Sequence, residues 1–119
     1  MSRIVVMEED TLMRELLVEW LSAEGHAVRR NNATTPAPPG QADLVLVDVY
    51  MPRHGGHERL REVARQYPGV PVIAISGQFQ SGVAGAGAVA HELGVRQVIA
   101  KPFSRAELLA AVRSVAGPP

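Results

Sequence analysis

The segment from Asp43 to Gly56 constrains the fold of this chain more than any other. Four consecutive apolar residues, Leu44 to Val47, lead directly into the carboxylate of Asp48. An unbroken run of valine and leucine is typical of a strand covered on both faces, as in a parallel sheet. Pro52 and the glycines after it then favour a loop. Asp48 is therefore predicted to end a central strand, at the edge where open α/β sheets bind ligands, although aspartate also ends strands because it favours turns.

The composition is that of one domain with a single core. The chain has 119 residues, of which 46% are hydrophobic, and its formal net charge is zero, so it lacks the basic excess typical of nucleic-acid binders. The absence of cysteine excludes a disulfide framework and thiolate chemistry. No apolar run is long enough for a membrane span, and Glu8 comes too early for a signal peptide. We expect a cytoplasmic domain over residues 1–116, with a tail or the start of a linker at 117–119.

Strands and helices are predicted to alternate along the chain. Short apolar runs indicate five strands, near residues 3–7, 26–30, 44–48, 70–75 and 98–100. Apolar residues at helical spacing indicate helices in four places: from Asp10 or Thr11 to Gly25, from His57 to Tyr67, weakly before Gly94, and after Ser104. Asp10 or Thr11 can cap the first of these helices, Gly25 stops it, and Ser104 with Glu107 matches a capping box. The predicted apolar face of the helix over 57–67 consists of Leu60, Val63, Ala64 and Tyr67. Three prolines at positions 36, 38 and 39 predict that the second helix is short or replaced by a loop. This order predicts an α/β fold with a doubly wound parallel sheet and right-handed crossovers.

Polar side chains follow four of the predicted strands. They are Glu8 with Glu9, Asp48, Ser76 and Lys101. Since the carboxyl ends of parallel strands meet at one edge of a sheet, we expect these groups to converge. Three carboxylates favour a hard divalent cation such as Mg²⁺, while a lysine and a hydroxyl favour an anion beside it. A cation next to an anion clamp is what phosphoryl transfer requires.

The chain resembles the receiver domains of two-component response regulators, of the kind found in chemotaxis regulators. The resemblance runs nearly end to end and rests on the order and spacing of five features, namely Glu8-Glu9, the run ending at Asp48, Met51-Pro52 with Gly56, the strand from Pro71 to Ser76, and Lys101-Pro102-Phe103. It implies a flavodoxin-like fold with strand order 2-1-3-4-5. It also implies a signalling switch rather than an enzyme, one that assists its own phosphorylation and dephosphorylation with Mg²⁺.

The resemblance also implies roles for the matched residues. Asp48 would accept a phosphoryl group from a sensor histidine kinase or a phosphotransfer protein. The groups that would bind Mg²⁺ are Glu8, Glu9, Asp48 and the backbone carbonyl of Tyr50. Those that would hold the phosphoryl group are Ser76 and Lys101, and the bond from Lys101 to Pro102 would be cis. The implied output partner is a downstream protein or an effector domain, and a second copy of the chain is a further candidate.

Two departures from the family keep an alternative open. Glu9 stands where the family usually has aspartate, and Val98 stands where it often has a tyrosine or phenylalanine that rotates as a switch. The alternative is a receiver-like interaction module that is not phosphorylated. An aspartyl-phosphate hydrolase resembling haloacid dehalogenases is a third interpretation, which is disfavoured because Tyr50 occupies the position of that family's second acid.

The departure at Glu9 generates a prediction about metal affinity. Glutamate is longer than aspartate by one methylene, roughly 1.5 Å, and Mg²⁺ tolerates little error in its octahedron. An off-rotamer arm costs about 0.5–1.5 kcal/mol, so Glu9→Asp should bind Mg²⁺ up to roughly tenfold more tightly and react faster with acetyl phosphate. Isothermal titration calorimetry of both forms measures the difference. Equal or weaker affinity in the variant would show that the site is adapted to glutamate.

Overall fold

The computed structural model describes residues 2–8, 10–30, 42–48, 57–76, 95–100 and 103–117. The strands in these ranges are β1 (Arg3–Met7), β2 (Ala27–Arg30), β3 (Leu44–Asp48), β4 (Val72–Ser76) and β5 (Gln97–Ala100). The helices are α1 (Thr11–Ala23), α2 (His57–Gln66) and α3 (Arg105–Ala116). These predicted elements are confirmed with small shifts of their ends. The weak helix before Gly94 and the proline segment at positions 36–39 lie outside the described residues.

The five strands form one parallel sheet in the order β2-β1-β3-β4-β5. This is the flavodoxin-like order that the resemblance implied, and it places β3 at the centre with β1 and β4 as its neighbours. The chain therefore leaves β1 in one direction to form β2, and then crosses to the other side to form β3. Such a reversal leaves a crevice at the carboxyl ends of the first and third strands. None of the described helices is long and apolar enough to cross a membrane.

The apolar run of β3 is divided between two cores, because successive side chains of a strand point to opposite faces. Leu44 and Leu46 lie in a cluster with α1 and α3, whereas Val45 and Val47 lie in a cluster with α2. All four are at most 1% exposed. The prediction that this strand is covered on both faces is confirmed, and the helices on the two sides of the sheet provide the cover.

One predicted core position of α2 is wrong. Leu60, Val63 and Tyr67 are buried against the sheet, as their helical spacing indicated, but Ala64 is exposed. The buried positions recur at i, i+3 and i+7, which defines a narrow stripe. Ala64 is rotated by about 100° from Val63 and lies just outside the stripe, on the far side of Leu60.

The two ends of α1 are fixed by local hydrogen bonds. At the start, Asp10 Oδ1 accepts the backbone N–H of Met13 at 3.0 Å. At the end, the Gly25 N–H donates to the Ser22 carbonyl at 3.0 Å and the His26 N–H donates to the Leu21 carbonyl at 3.2 Å. This is the Schellman pattern, and it requires the positive φ of +93° that Gly25 adopts. The cap at Asp10 and the stop at Gly25 are thus confirmed.

Ion pairs hold α1 against its neighbours. The Arg30 guanidinium of β2 donates to both carboxylate oxygens of Glu15, at 2.8 and 2.6 Å. These hydrogen bonds lower the pKa of Glu15 to about 2. At the other end of the helix, Glu24 lies 3.5 Å from Arg113 and 3.8 Å from Arg105, both of α3. Most of these side chains are exposed to solvent, so each pair contributes little to the stability of the fold.

The capping box of α3 is confirmed and gives a stability prediction. The Glu107 N–H donates to Ser104 Oγ and the Ser104 N–H donates to Glu107 Oε1, each at 3.1 Å. Ser104→Ala removes the acceptor for one N–H of the first turn, so the free energy of unfolding should fall by about 1 kcal/mol. Urea denaturation measures this loss. Ser104→Asp is the matched control because it keeps a capping oxygen, and equal losses in both variants would contradict the capping role.

Candidate functional site

The register of β1 and β3 places two acidic residues at neighbouring backbone positions at the carboxyl end of the sheet. Met7 pairs with Val47 in parallel register. The next residue of each chain segment is an acid, Glu8 after β1 and Asp48 as the last residue of β3. Neighbouring strands lie about 4.8 Å apart, so the two backbone positions are adjacent. The site therefore begins with one acid on each of two central strands.

The carboxyl ends of β4 and β5 lie on the same side of the sheet as those of β1 and β3. Asp48 pairs with Ile75, and Ser76 pairs with Ala100, so the strands end level with one another. The backbone of Ser76 is thereby next to the acidic pair, and Lys101 follows Ala100 in the sequence. The other predicted site residues lie outside the described residues: Glu9, Tyr50, Lys101 and Pro102, including the predicted cis bond.

Glu8 is a buried carboxylate held by the start of α1. Glu8 is 1% exposed to solvent. Its Oε1 accepts the backbone N–H of Asp10 at 3.0 Å, and its backbone carbonyl accepts a hydrogen bond from Arg14 Nη1 at 3.2 Å. Burying a charged carboxylate is costly unless its charge is compensated. A cation bound at this edge would supply such compensation, and carboxylate oxygens are the ligands that Mg²⁺ prefers.

Asp48 differs from Glu8 in its access to solvent. Asp48 is half-buried, whereas Glu8 is almost completely buried. Within the described ranges, no three side chains of histidine, aspartate or glutamate group closely enough to hold a metal by themselves. Glu9, the predicted third carboxylate, lies outside those ranges.

Arg14 contributes to the site, although its sequence position was not singled out. It connects the first turns of α1 to the end of β1 through its bond to the Glu8 carbonyl. Its side chain is 15% exposed and also pairs with Glu15 at 3.4 Å. The sequence feature that could have identified Arg14 is its spacing from the cap. Arg14 lies one helical turn after Asp10, and its backbone N–H donates to the Asp10 carbonyl. A long cationic side chain at that position can reach back to the backbone of Glu8, two residues before the cap.

A second aspartate, at the amino end of β3, has a structural role. Asp43 Oδ2 accepts the backbone N–H of Arg3 at 2.7 Å and lies 3.5 Å from the Arg3 guanidinium. The backbone hydrogen bond is the main reason that the pKa of Asp43 is lowered. Asp43 therefore connects β1 to β3 at the amino-terminal end of the sheet, opposite the end at which Asp48 lies. Since the two aspartates lie at the two ends of the same strand, Asp43 can serve as a control for Asp48.

Comparison with known proteins identifies the type of domain. The family model described as the response regulator receiver domain matches residues 4–113. The DNA-binding transcriptional regulator NtrC of Bradyrhizobium sp. (strain RP501 Parasponia) is 34% identical over an alignment that covers 97% of the chain and 24% of NtrC. The regulatory protein VirG of Agrobacterium tumefaciens (strain 15955) is 32% identical, with 95% of the chain and 43% of VirG covered. The chain thus spans less than half the length of these relatives.

A solved structure agrees with the sequence comparisons. The non-phosphorylated HemR receiver domain from Leptospira biflexa superposes with a TM-score of 0.76 at 25% identity, and the match covers 98% of the chain and 94% of that domain. This chain therefore matches a receiver domain over nearly its full length, and matches the two regulators over one part of each.

The buried position of Glu8 gives a prediction for its amide variant. Glu8→Gln keeps an oxygen that can accept the Asp10 N–H, so the domain should remain folded. The variant loses a negative charge, and Mg²⁺ affinity should fall by about tenfold or more, since charge neutralisation contributes strongly to binding of a hard cation. Isothermal titration calorimetry with MgCl₂ measures the affinity, and circular dichroism checks the fold. A folded variant with unchanged affinity would exclude Glu8 as a ligand.

Proposed function

The chain belongs to the response regulator receiver domain family, and from this membership we propose that Asp48 is its phosphoryl acceptor. Receiver domains act in phosphorylation-dependent two-component signalling. The observation that carries the assignment is the position of Asp48, half-buried at the end of the central strand and in register with the buried Glu8. The donor would be a sensor histidine kinase or a phosphotransfer protein.

The proposed reaction needs little from the protein beyond positioning. A carboxylate oxygen of Asp48 attacks the phosphorus of a phosphohistidine, the P–N bond breaks, and the imidazole leaves as the neutral ring after it takes up a proton. The product is an acyl phosphate on Asp48. Half-burial of Asp48 suits this step, because the donor must approach the carboxylate in line.

Mg²⁺ would neutralise the charge that accumulates when a phosphoryl group meets the acids. Receiver domains in general bind Mg²⁺ at the phosphorylation site, and we propose that four groups of this chain hold it: Glu8, Glu9, Asp48 and the backbone carbonyl of Tyr50. The buried carboxylate of Glu8 supports this proposal, because a charge excluded from water is stabilised by a hard cation. The hydrogen bond from Asp10 orients that carboxylate.

We propose that Ser76 and Lys101 hold the phosphoryl oxygens on the side away from the metal. The support comes from the register, since Ser76 ends the strand next to Asp48 and pairs with the residue before Lys101. A hydroxyl can donate one hydrogen bond to a phosphoryl oxygen, and an ammonium adds charge neutralisation. Both contacts form only after phosphorylation, so they can convert the modification into a change in shape.

Our proposal for the output of the switch rests on the relatives being longer than this chain. Receiver domains interact with histidine kinases and with effector domains, and NtrC and VirG are regulators of which this chain matches only a part. We propose that the phosphorylated domain acts on an effector domain or on a separate downstream protein, with pairing of two copies as a further route. No observation favours a module that is not phosphorylated, since Glu8 and Asp48 are both at the expected edge.

Asp48→Asn should abolish the phosphoryl adduct that forms with acetyl phosphate and Mg²⁺, because an amide oxygen is a poor nucleophile. Intact-protein mass spectrometry measures the adduct. Asp43→Asn is the matched control, since it removes the acid at the opposite end of the same strand and should leave the adduct in place. An adduct on the Asp48 variant would move the acceptor elsewhere. No adduct on the wild-type protein would favour the interaction module.

A further inference from the structure

We propose that Arg14 is a positioning residue for the carboxylate of Glu8, and that it acts through the Glu8 backbone carbonyl. The inference rests on the proposed function, because it assumes that Glu8 is a ligand of Mg²⁺. Arg14 lies in the first turns of α1 and Glu8 follows β1, so the contact between them joins the helix to the end of a central strand. In this role Arg14 affects the metal site without contacting the metal.

The hydrogen bond from Arg14 restrains one backbone rotation of Glu8. Arg14 Nη1 donates to the Glu8 carbonyl at 3.2 Å. The orientation of that carbonyl is set by ψ of Glu8, one of the two soft dihedral angles of each residue. Glu8 lies one residue beyond the last pair between β1 and β3, Met7 with Val47. The bond therefore holds the chain at the point where the paired register of these strands ends.

The same rotation decides whether the Glu8 carboxylate meets its hydrogen-bond donor. Glu8 Oε1 accepts the backbone N–H of Asp10 at 3.0 Å, and ψ of Glu8 sets where that N–H lies relative to the Glu8 side chain. Because Glu8 is almost completely buried, bulk water has little access to replace a lost donor. Arg14 and the Asp10 N–H thus hold Glu8 at two points, its carbonyl and its carboxylate, and together they fix the direction in which the carboxylate extends.

Arg14 is itself held in place by its neighbours. Its side chain is mostly buried, and its Nε lies 3.4 Å from Glu15 Oε2. The same oxygen accepts a hydrogen bond from Arg30 Nε of β2 at 2.8 Å. A planar guanidinium can donate to a carbonyl through one nitrogen and to a carboxylate through another, as Arg14 does here. The donor to the Glu8 carbonyl is therefore ordered by contacts that do not involve a metal.

Charge and position predict opposite effects of removing Arg14. A guanidinium near a Mg²⁺ site repels the cation, so loss of its charge alone should tighten Mg²⁺ binding. Loss of its hydrogen bond should weaken Mg²⁺ binding, because this ion demands near-ideal octahedral geometry from its ligands. The pairing of Arg14 with Glu15 offsets its charge, which favours the effect of position. The direction of the change in Mg²⁺ affinity therefore distinguishes the two effects.

The test compares four proteins: wild type, Arg14→Met, Glu8→Gln and Arg30→Met. Isothermal titration calorimetry with MgCl₂ gives the affinity for Mg²⁺, and the NMR signal of the Asp10 amide proton reports its hydrogen bond to Glu8 in the absence of metal. Arg30→Met is the matched control, because Arg30 donates to the same Glu15 carboxylate as Arg14 but does so from β2. Arg14→Met is also measured with Glu8→Gln added.

We expect Arg14→Met to weaken Mg²⁺ binding by roughly tenfold, since loss of a hydrogen-bond partner of a metal ligand typically costs at least that much affinity. The Asp10 amide signal should move upfield, toward its position in Glu8→Gln, because its hydrogen bond to a charged carboxylate weakens. Arg30→Met should keep the Mg²⁺ affinity within about twofold of the wild type and leave the Asp10 signal in place. With Glu8→Gln already present, Arg14→Met should cause no further loss of Mg²⁺ affinity.

Tighter or unchanged Mg²⁺ binding in Arg14→Met would overturn the proposal, as would an equal loss with and without Glu8→Gln, or an Asp10 signal that stays in place. If Arg14→Met fails to fold, Arg14→Gln removes the same contact with a shorter polar side chain and should give the same pattern. Unchanged Mg²⁺ affinity in Glu8→Gln would refute the role of Glu8 as a ligand, and Arg14 would then have no ligand to position. The proposed acceptor is tested separately, because Asp48→Asn removes the adduct whatever Arg14 does.

Discussion

The structure depends on the parallel pairing of two central strands that are buried on both faces. Because β1 and β3 pair in register from Ile4 with Leu44 to Met7 with Val47, their first polar residues reach the same edge together. Burial fixes this register, since a slip of one residue would move every side chain to the opposite face. The neighbouring positions of the two acids in the candidate site are therefore a consequence of core packing.

Packing also gives the two acids different properties. Glu8 lies under the start of α1 and is closed to solvent, whereas Asp48 remains half-buried at the end of β3. A closed carboxylate suits a cation, and an accessible one suits chemistry with an outside partner. The fold alone does not decide function, since similar α/β sheets support many activities. The placement of these particular side chains, together with the match to the receiver family, makes a phosphorylation switch the best-supported function.

The helix α1 links the parts of the site. Its cap and its Arg14 bind the Glu8 end of β1, its Glu15 pairs with β2, and its Trp20 contacts Phe103 beyond β5.

The sequence alone determined the features that follow local rules. Alternating apolar runs and helical stripes predicted the order of the described strands and helices. Short-range chemistry predicted the Asp10 cap, the stop at Gly25 and the capping box at Ser104, because each bond joins residues only a few positions apart. The level ends of the parallel strands followed from the same pattern, which is why the acidic edge could be predicted before any contact was known.

Only the tertiary structure decided which residues meet across the core. It decided which helices cover Leu46 and which cover Val47, left Ala64 outside the stripe of α2, and brought Arg14 to Glu8 and Trp20 to Phe103. These outcomes depend on the relative position of elements that are far apart in the chain. The hydrophobic periodicity of the sequence shows which face of a helix or strand is apolar. Which residues of other elements contact that face depends on how the helices pack on the sheet.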